Sequence, residues 1–221
     1  MTDDRSTNGA TGDTAYPTPH LLAGDLAIDD LDAFLGTVRT IREETNAVIQ
    51  VVDARYVVSR THLDRAVARA ERAIDRDAAV ASDPAVEVLL YAAGRRQIDE
   101  ALGMGVEEGS MPAIAIVYPS SPTRGDEDDR QNETARRGTT PPRETTPEAV
   151  SAALERLEER FDDATRHSPG ERTAVESWLE DVTDPGRIRS FHDVTETELA
   201  ATSGTLRDLI EERVALLDVE K

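Results

Sequence analysis

Apolar residues recur along the chain in two rhythms. HLLAGDLAI, 20–28, predicts a short strand, and Leu31, Phe34, Leu35, Val38 and Ile41 then fall at helical spacing. That second pattern predicts a helix to about Glu44, capped by Asp29 or Asp30. VIQVV, 48–52, is a β-branched run expected as a central strand. Thr61 is placed to cap a helix over about 62–76, and Pro84 suits the first turn of another over about 84–101. AIAIVY, 113–118, preceded by Pro112, is the third strand. EAVSAALERLEERF then aligns Val150, Leu154, Leu157 and Phe161 on one helix face, and 165–173 reads as a loop. Shorter helical pieces lead to LRDLIEERVALLDV, 206–219.

Two stretches carry neither rhythm. Residues 1–18 are polar and aperiodic, and 119–146 hold many Pro, Gly, Thr and charged residues with no large apolar side chain after Tyr118. Both are expected to be disordered, the second as an insertion into one domain spanning 19–221. Separated strands and helices give an α+β (mixed α/β) fold class, with a small mixed sheet packed by helices.

Charge changes the picture of the surroundings. Of 221 residues, 45 are acidic and 25 basic, a formal net charge of −20, and Lys221 is the only lysine. Acid excess with almost no lysine suits molar salt, where self-repulsion is screened within a few ångströms. The chain has no cysteine, so disulfides, thiolate nucleophiles and cysteine-held metals are excluded. The first twenty residues lack the basic-then-apolar order of a signal peptide, and no apolar run is long enough to cross a membrane. A cytoplasmic address is the default expectation.

In so acidic a chain, residues 55–98 stand out at +2, leaving −22 for the rest. Within the predicted helix 62–76, Leu63, Ala66, Val67, Ala70 and Ile74 share one side. Arg65, Arg69, Arg72 and Arg76, spaced 4, 3 and 4, stack on the other. Such a ladder of guanidiniums suits phosphates. It is equally a solvated face paired with Asp64, Glu71 and Asp75. In VLLYAAGRRQIDEAL, Gly94 interrupts a helical pattern and puts Tyr91 and Arg95 four apart, with Arg96 beside them. An aromatic ring beside guanidiniums can stack on an unpaired nucleotide, or the pair can simply pack.

Enzyme signatures are missing. The histidines, at 20, 62, 167 and 192, have no metal-ligand spacing, so neither metal nor cofactor is expected. GMGVEEG, 103–109, follows a predicted helix and carries Glu107 and Glu108, which repel phosphate, so it reads as a turn.

DARYVVSRTHLDRAVARAERAI (53–74), EVLLYAAGRRQIDEALGMGVEEG (87–109) and the closing LIEERVALLDVEK (209–221) together resemble the small accessory subunit of the KEOPS complex, the TPRKB family. The resemblance covers roughly 20–118 and 147–221. It implies a non-catalytic protein that binds and stimulates a kinase-like ATPase subunit. It also implies a role in recruiting tRNA by its single-stranded CCA end, for threonylcarbamoylation of the adenosine beside the anticodon. The threonylcarbamoyl transferase and its metal belong to another subunit.

On that resemblance, Tyr91, Gly94, Arg95 and Arg96 would hold the unpaired nucleotides. Arg55, Arg60, His62, Arg65, Arg69, Arg72 and Arg76 would grip the acceptor backbone, with Arg55 and Arg60 the direct contacts. The apolar stripe of the last helix is intramolecular core in one reading and partner surface in another. Leu209, Val214, Leu216, Leu217 and Val219 are the candidates for the kinase side. Two alternatives stand beside this reading: a kinase-binding scaffold without RNA contact, and a stand-alone enzyme, for which no convergent titratable groups are visible.

Overall fold

The computed structural model describes residues 16–120 and 145–217. The chain order is β1 (His20–Ile28), α1 (Leu31–Thr45), β2 (Ala47–Asp53), α2 (Arg60–Asp75), α3 (Pro84–Ala93), α4 (Ile98–Ala101) and β3 (Gly109–Pro119). After residue 145 come α5 (Pro147–Glu158), β4 (Phe161–His167), α6 (Thr173–Val182), α7 (Pro185–Phe191), α8 (Glu196–Ala201) and α9 (Leu206–Leu216). Short 3-10 turns at Ala54–Tyr56 and Leu102–Met104 complete it. The expected tail lies almost wholly outside the described residues, as does most of the expected insertion.

The strands form one sheet in the order β2-β3-β1-β4. Every pairing is antiparallel, so the sheet is not mixed. β3 and β1 sit inside, which is where a run such as AIAIVY, buried on both faces, belongs. β2 was expected to be central and is instead an edge strand, carrying one isolated bridge from Val52 to Gly105. Pro112 lies within β3, opposite Asp25.

Side chains alternate between two cores. Ile114, Ile116 and Tyr118 of β3 join Leu21 and Ala23 of β1 and Val48 and Val52 of β2, beneath α2, α3, α6 and α9. Ala113, Ala115 and Val117 join Leu22, Leu26, Ile49 and Val51, beneath α1 and α5. A third, small cluster of Ile188, Val194 and Ile210 ties α7 to α9. Gly24 is required where β1 shifts register against β4, because a Cβ there would stand 2.7 Å from the Asp162 carbonyl oxygen.

Helix ends follow their capping residues. Asp30 accepts the Ala33 N–H at 2.9 Å and starts α1. α2 begins earlier than expected: Ser59, not Thr61, is its cap, accepting from His62 N–H at 2.9 Å. The expected helix 84–101 is two pieces, because Gly94 adopts φ 60° and ends α3 in a left-handed cap. α5 stops at Glu158, and Phe161, expected on its stripe, opens β4 instead. The expected loop 165–173 therefore begins as strand.

Candidate nucleic-acid and kinase-facing surfaces

The first turn of α2 is buried. Arg60 has no exposed surface. Its guanidinium donates to the carbonyls of Pro19 at 2.7 Å and Glu171 at 3.2 Å, and Nε faces the Asp64 carboxylate at 3.4 Å. Burial raises the pKa of the Asp64 carboxyl, and Arg60 and Arg172 only partly oppose it. His62 is likewise enclosed, one nitrogen 2.8 Å from the Ala92 carbonyl and the other accepting from Val58 N–H at 3.5 Å. Burial depresses its pKa, so the ring is held neutral, and this pairing places its proton on Nε2. Neither side chain can reach a phosphate in this arrangement. The expectation that they touch RNA is corrected: both lock α2 into the fold.

A carboxylate cluster anchors the same turn to α9. Glu211 accepts from Ser59 Oγ at 2.7 Å, Arg65 at 2.8 Å and Arg207 at 2.9 Å. Glu176 accepts from the Arg60 N–H at 3.0 Å and from Arg207 at 2.9 Å. Arg65, the first rung of the ladder, is thus an interhelix ion pair. Arg69 is half-buried. Arg72 and Arg76 lie further along the outer face and form no ion pair among the described residues, and Arg76 is exposed. Arg55 is bound to Asp53 through Nε at 2.9 Å and a terminal nitrogen at 2.6 Å, with Glu107 at 3.7 Å, so its guanidinium is already engaged.

The turn after α3 shows the same economy. Tyr91 is only 3% exposed, so its ring cannot stack on a nucleotide while the structure stays in this form. Gly94 is needed for its backbone angle, since an added Cβ would meet nothing closer than His192 at 3.8 Å. Arg95 donates to the Phe191 carbonyl, pairs with Asp193 at 2.9 Å and stands 5.6 Å from the centre of the Phe191 ring. Arg96 donates to the Leu217 carbonyl at 2.5 Å, capping the end of α9. Val80, Leu90, Tyr91, Arg95, Arg96 and Leu217 line a shallow cleft where α3 meets α9.

α9 divides its stripe. Val214 is enclosed in the core and Leu209 packs against the small cluster below, so Val214 is no partner contact. Leu217 is half-buried against the core, whereas Leu216 is 45% exposed. Val219 lies outside the described residues. Val80, Ile98 and Leu102, which the sequence reading missed, are exposed large apolar side chains. Val80 lines the same cleft as Arg96 and Leu217, and Ile98 and Leu102 follow Arg96 on the next turn of chain.

Among the described residues no cluster of histidine and carboxylate groups could hold a metal ion. No helix there is long and apolar enough to cross a membrane.

A search of the curated proteins gave no match. The family model of the kinase binding protein CGI-121, by contrast, matches residues 36–218, from the middle of α1 to the end of α9. The matched span includes the α2 anchor, the Gly94 turn and the Leu216 surface, and by it the chain belongs to the CGI-121 family of kinase binding proteins.

Proposed function

We propose that this kinase binding protein is the accessory subunit of KEOPS. It binds and stimulates the small kinase-like ATPase and presents tRNA, by its single-stranded CCA end, for threonylcarbamoylation. The reading rests on family membership together with one surface. Val80, Ile98, Leu102 and Leu216 are exposed apolar side chains. Val80 lines the cleft with Arg95 and Arg96, Leu216 precedes the residue whose carbonyl Arg96 holds, and Ile98 and Leu102 follow Arg96 along the chain. A protein partner gains most from such apolar groups, with arginines at hand for orientation. Leu216 is the central kinase contact in this proposal. Arg72 and Arg76 supply the outer electrostatic contact to RNA, with Arg69 beside them and Arg95 and Arg96 at the strand end.

The test is reconstitution with the kinase-like ATPase and tRNA transcripts with and without the CCA end. Leu216→Asp should abolish the kinase complex while leaving the fold intact. Removing the CCA end should weaken tRNA binding at least tenfold. Equal affinity for both transcripts would exclude the CCA end as the contact, and no binding of either would leave a kinase-binding scaffold without direct RNA contact. One observation favours that second reading: Arg55, Arg65, Arg95 and Arg96 each already hold a partner within the chain.

A further inference from the structure

Two of the residues suited to grip an unpaired nucleotide, Tyr91 and Arg96, meet one short piece of chain. Tyr91 and Leu217 both line the cleft between α3 and α9, together with the Glu87 carboxylate, which accepts from the N–H groups of Val80 and Ala81. Arg96, two residues past the Gly94 cap, is spent on the carbonyl of Leu217. A helix end leaves its last carbonyls without internal partners, so a guanidinium there acts as a cap. The contact that closes the cleft therefore also occupies the arginine.

The body of α9 is fixed independently of this end. Ile210 and Val214 are fully buried, and Glu211 holds Ser59, Arg65 and Arg207. Beyond Val214 the anchoring thins: Ala215 is half-buried, Leu216 faces solvent and Leu217 is only partly covered. Terminal turns with few buried contacts open at low free-energy cost while the element behind them stays in place.

We propose that the last turn of α9 is a movable cover over an RNA subsite, and that single-stranded RNA binds through Tyr91 and Arg96 from the open state. This inference rests on the RNA reading given above and adds its regulation. Opening swings Leu217 away, exposes the Tyr91 ring and frees the Arg96 guanidinium in one event. The observed structure is the closed state. Apparent affinity is then the intrinsic affinity scaled by the open fraction, so favouring the closed form weakens binding without touching the site. A partner that grips Leu216 with the turn docked holds the cover shut, and one that draws it outward opens it.

The experiment uses full-length protein and a fluorescein-labelled single-stranded RNA ending in CCA. Leu217→Ser removes the apolar side chain lining the cleft without altering the RNA-contacting residues. It should tighten binding about fivefold, the ratio imposed by a closed state favoured by about 1 kcal/mol. Tyr91→Leu keeps an apolar side chain but removes the ring and its hydroxyl, and in that background Leu217→Ser should give no gain. Circular dichroism melting of each variant establishes that it is folded. A folded Leu217→Ser protein that binds as the native chain does, or more weakly, overturns the cover. A gain that survives Tyr91→Leu also overturns it, since RNA would then not be reading the ring. If neither the native chain nor Leu217→Ser binds the RNA, the RNA reading itself fails, the cover falls with it, and kinase binding stands.

Discussion

The two faces of the sheet are built from different materials. Under α1 and α5 the core is mainly aliphatic, drawn from Leu22, Leu26, Ile49, Val117, Leu154 and Leu157, with the Phe161 ring beside them. Under α2, α3 and α9 the chain also encloses Arg60, His62, Glu71, Glu87 and Glu211, each with specific partners. Tyr118 donates to Glu71 at 2.9 Å, and Glu87 accepts from the N–H groups of Val80 and Ala81. The first face follows volume and hydrophobicity, and tolerates conservative exchange. The second depends on pairwise geometry, so removing one member strands another in a poorly solvating interior. All of the proposed partner surface lies on the second face.

The sharpest test of this contrast is Arg60→Ala. It leaves the Asp64 carboxylate and the carbonyls of Pro19 and Glu171 without their cation, and should cost about 3–5 kcal/mol, read as a drop in the urea midpoint. A loss under 1 kcal/mol would mean that the two faces are energetically alike. Acid provides the next test. His192 is depressed from 6.5 to about 3, chiefly by burial, with His62, Arg213 and Arg95 adding to it and Asp193 opposing. The folded state keeps the ring neutral while the unfolded chain protonates it. Stability is therefore complete above about pH 6.5 and declines as pH falls toward about 3. His20, His62 and His167 are shifted in the same direction, again mainly by burial. A urea midpoint that stays flat from pH 7 to pH 5 contradicts this, and His192→Gln should flatten the slope.

Smaller effects refine the comparison. Gly94→Ala has space for its methyl but must adopt φ 60°, a strain of about 1–2 kcal/mol seen in thermal melting. On the aliphatic face, Ile49→Val should cost about 0.5–1.5 kcal/mol. Arg72→Ala with Arg76→Ala should leave stability within about 0.5 kcal/mol per site, since neither has an ion-pair partner among the described residues. The same pair should lower the salt dependence of tRNA binding by about one unit of slope per lost phosphate contact. An unchanged slope would assign both arginines to solvation alone.

Much of the scaffold was legible because its elements obey simple periods. α1, α2 and α9 announce themselves by apolar stripes, and β1 and β3 by apolar runs. β4 escaped because FDDATRH is an edge strand that buries only Phe161 and His167, so no alternation is written into it. The candidate site was read less well, although its signals were present. Arg60 lies on the stripe of Leu63, Val67 and Ala70, three, seven and ten residues on, and that spacing puts it inside once α2 starts at Ser59. PAVEVLLYAA is apolar on every side, the mark of an enclosed helix, which places Tyr91 within the core. The ladder's orientation was correct, but its division into Arg65, paired with Glu211, and Arg72 and Arg76, unpaired among the described residues, depends on α9 arriving from more than a hundred residues away. A single helix cannot encode that.

The position of β3 has a dynamic consequence. Its alternate side chains belong to two separate cores, so loosening either layer still leaves the strand covered from the other side. With β1 and β2 bonded along both edges, its backbone is protected in all directions. Amide protons from Ile114 to Val117 should therefore exchange with deuterium only through complete unfolding, and so report the global stability of the chain. Those in the last turn of α9 should exchange orders of magnitude sooner, through local opening. One exchange time course then reads both the strength of the scaffold and the freedom of its moving part.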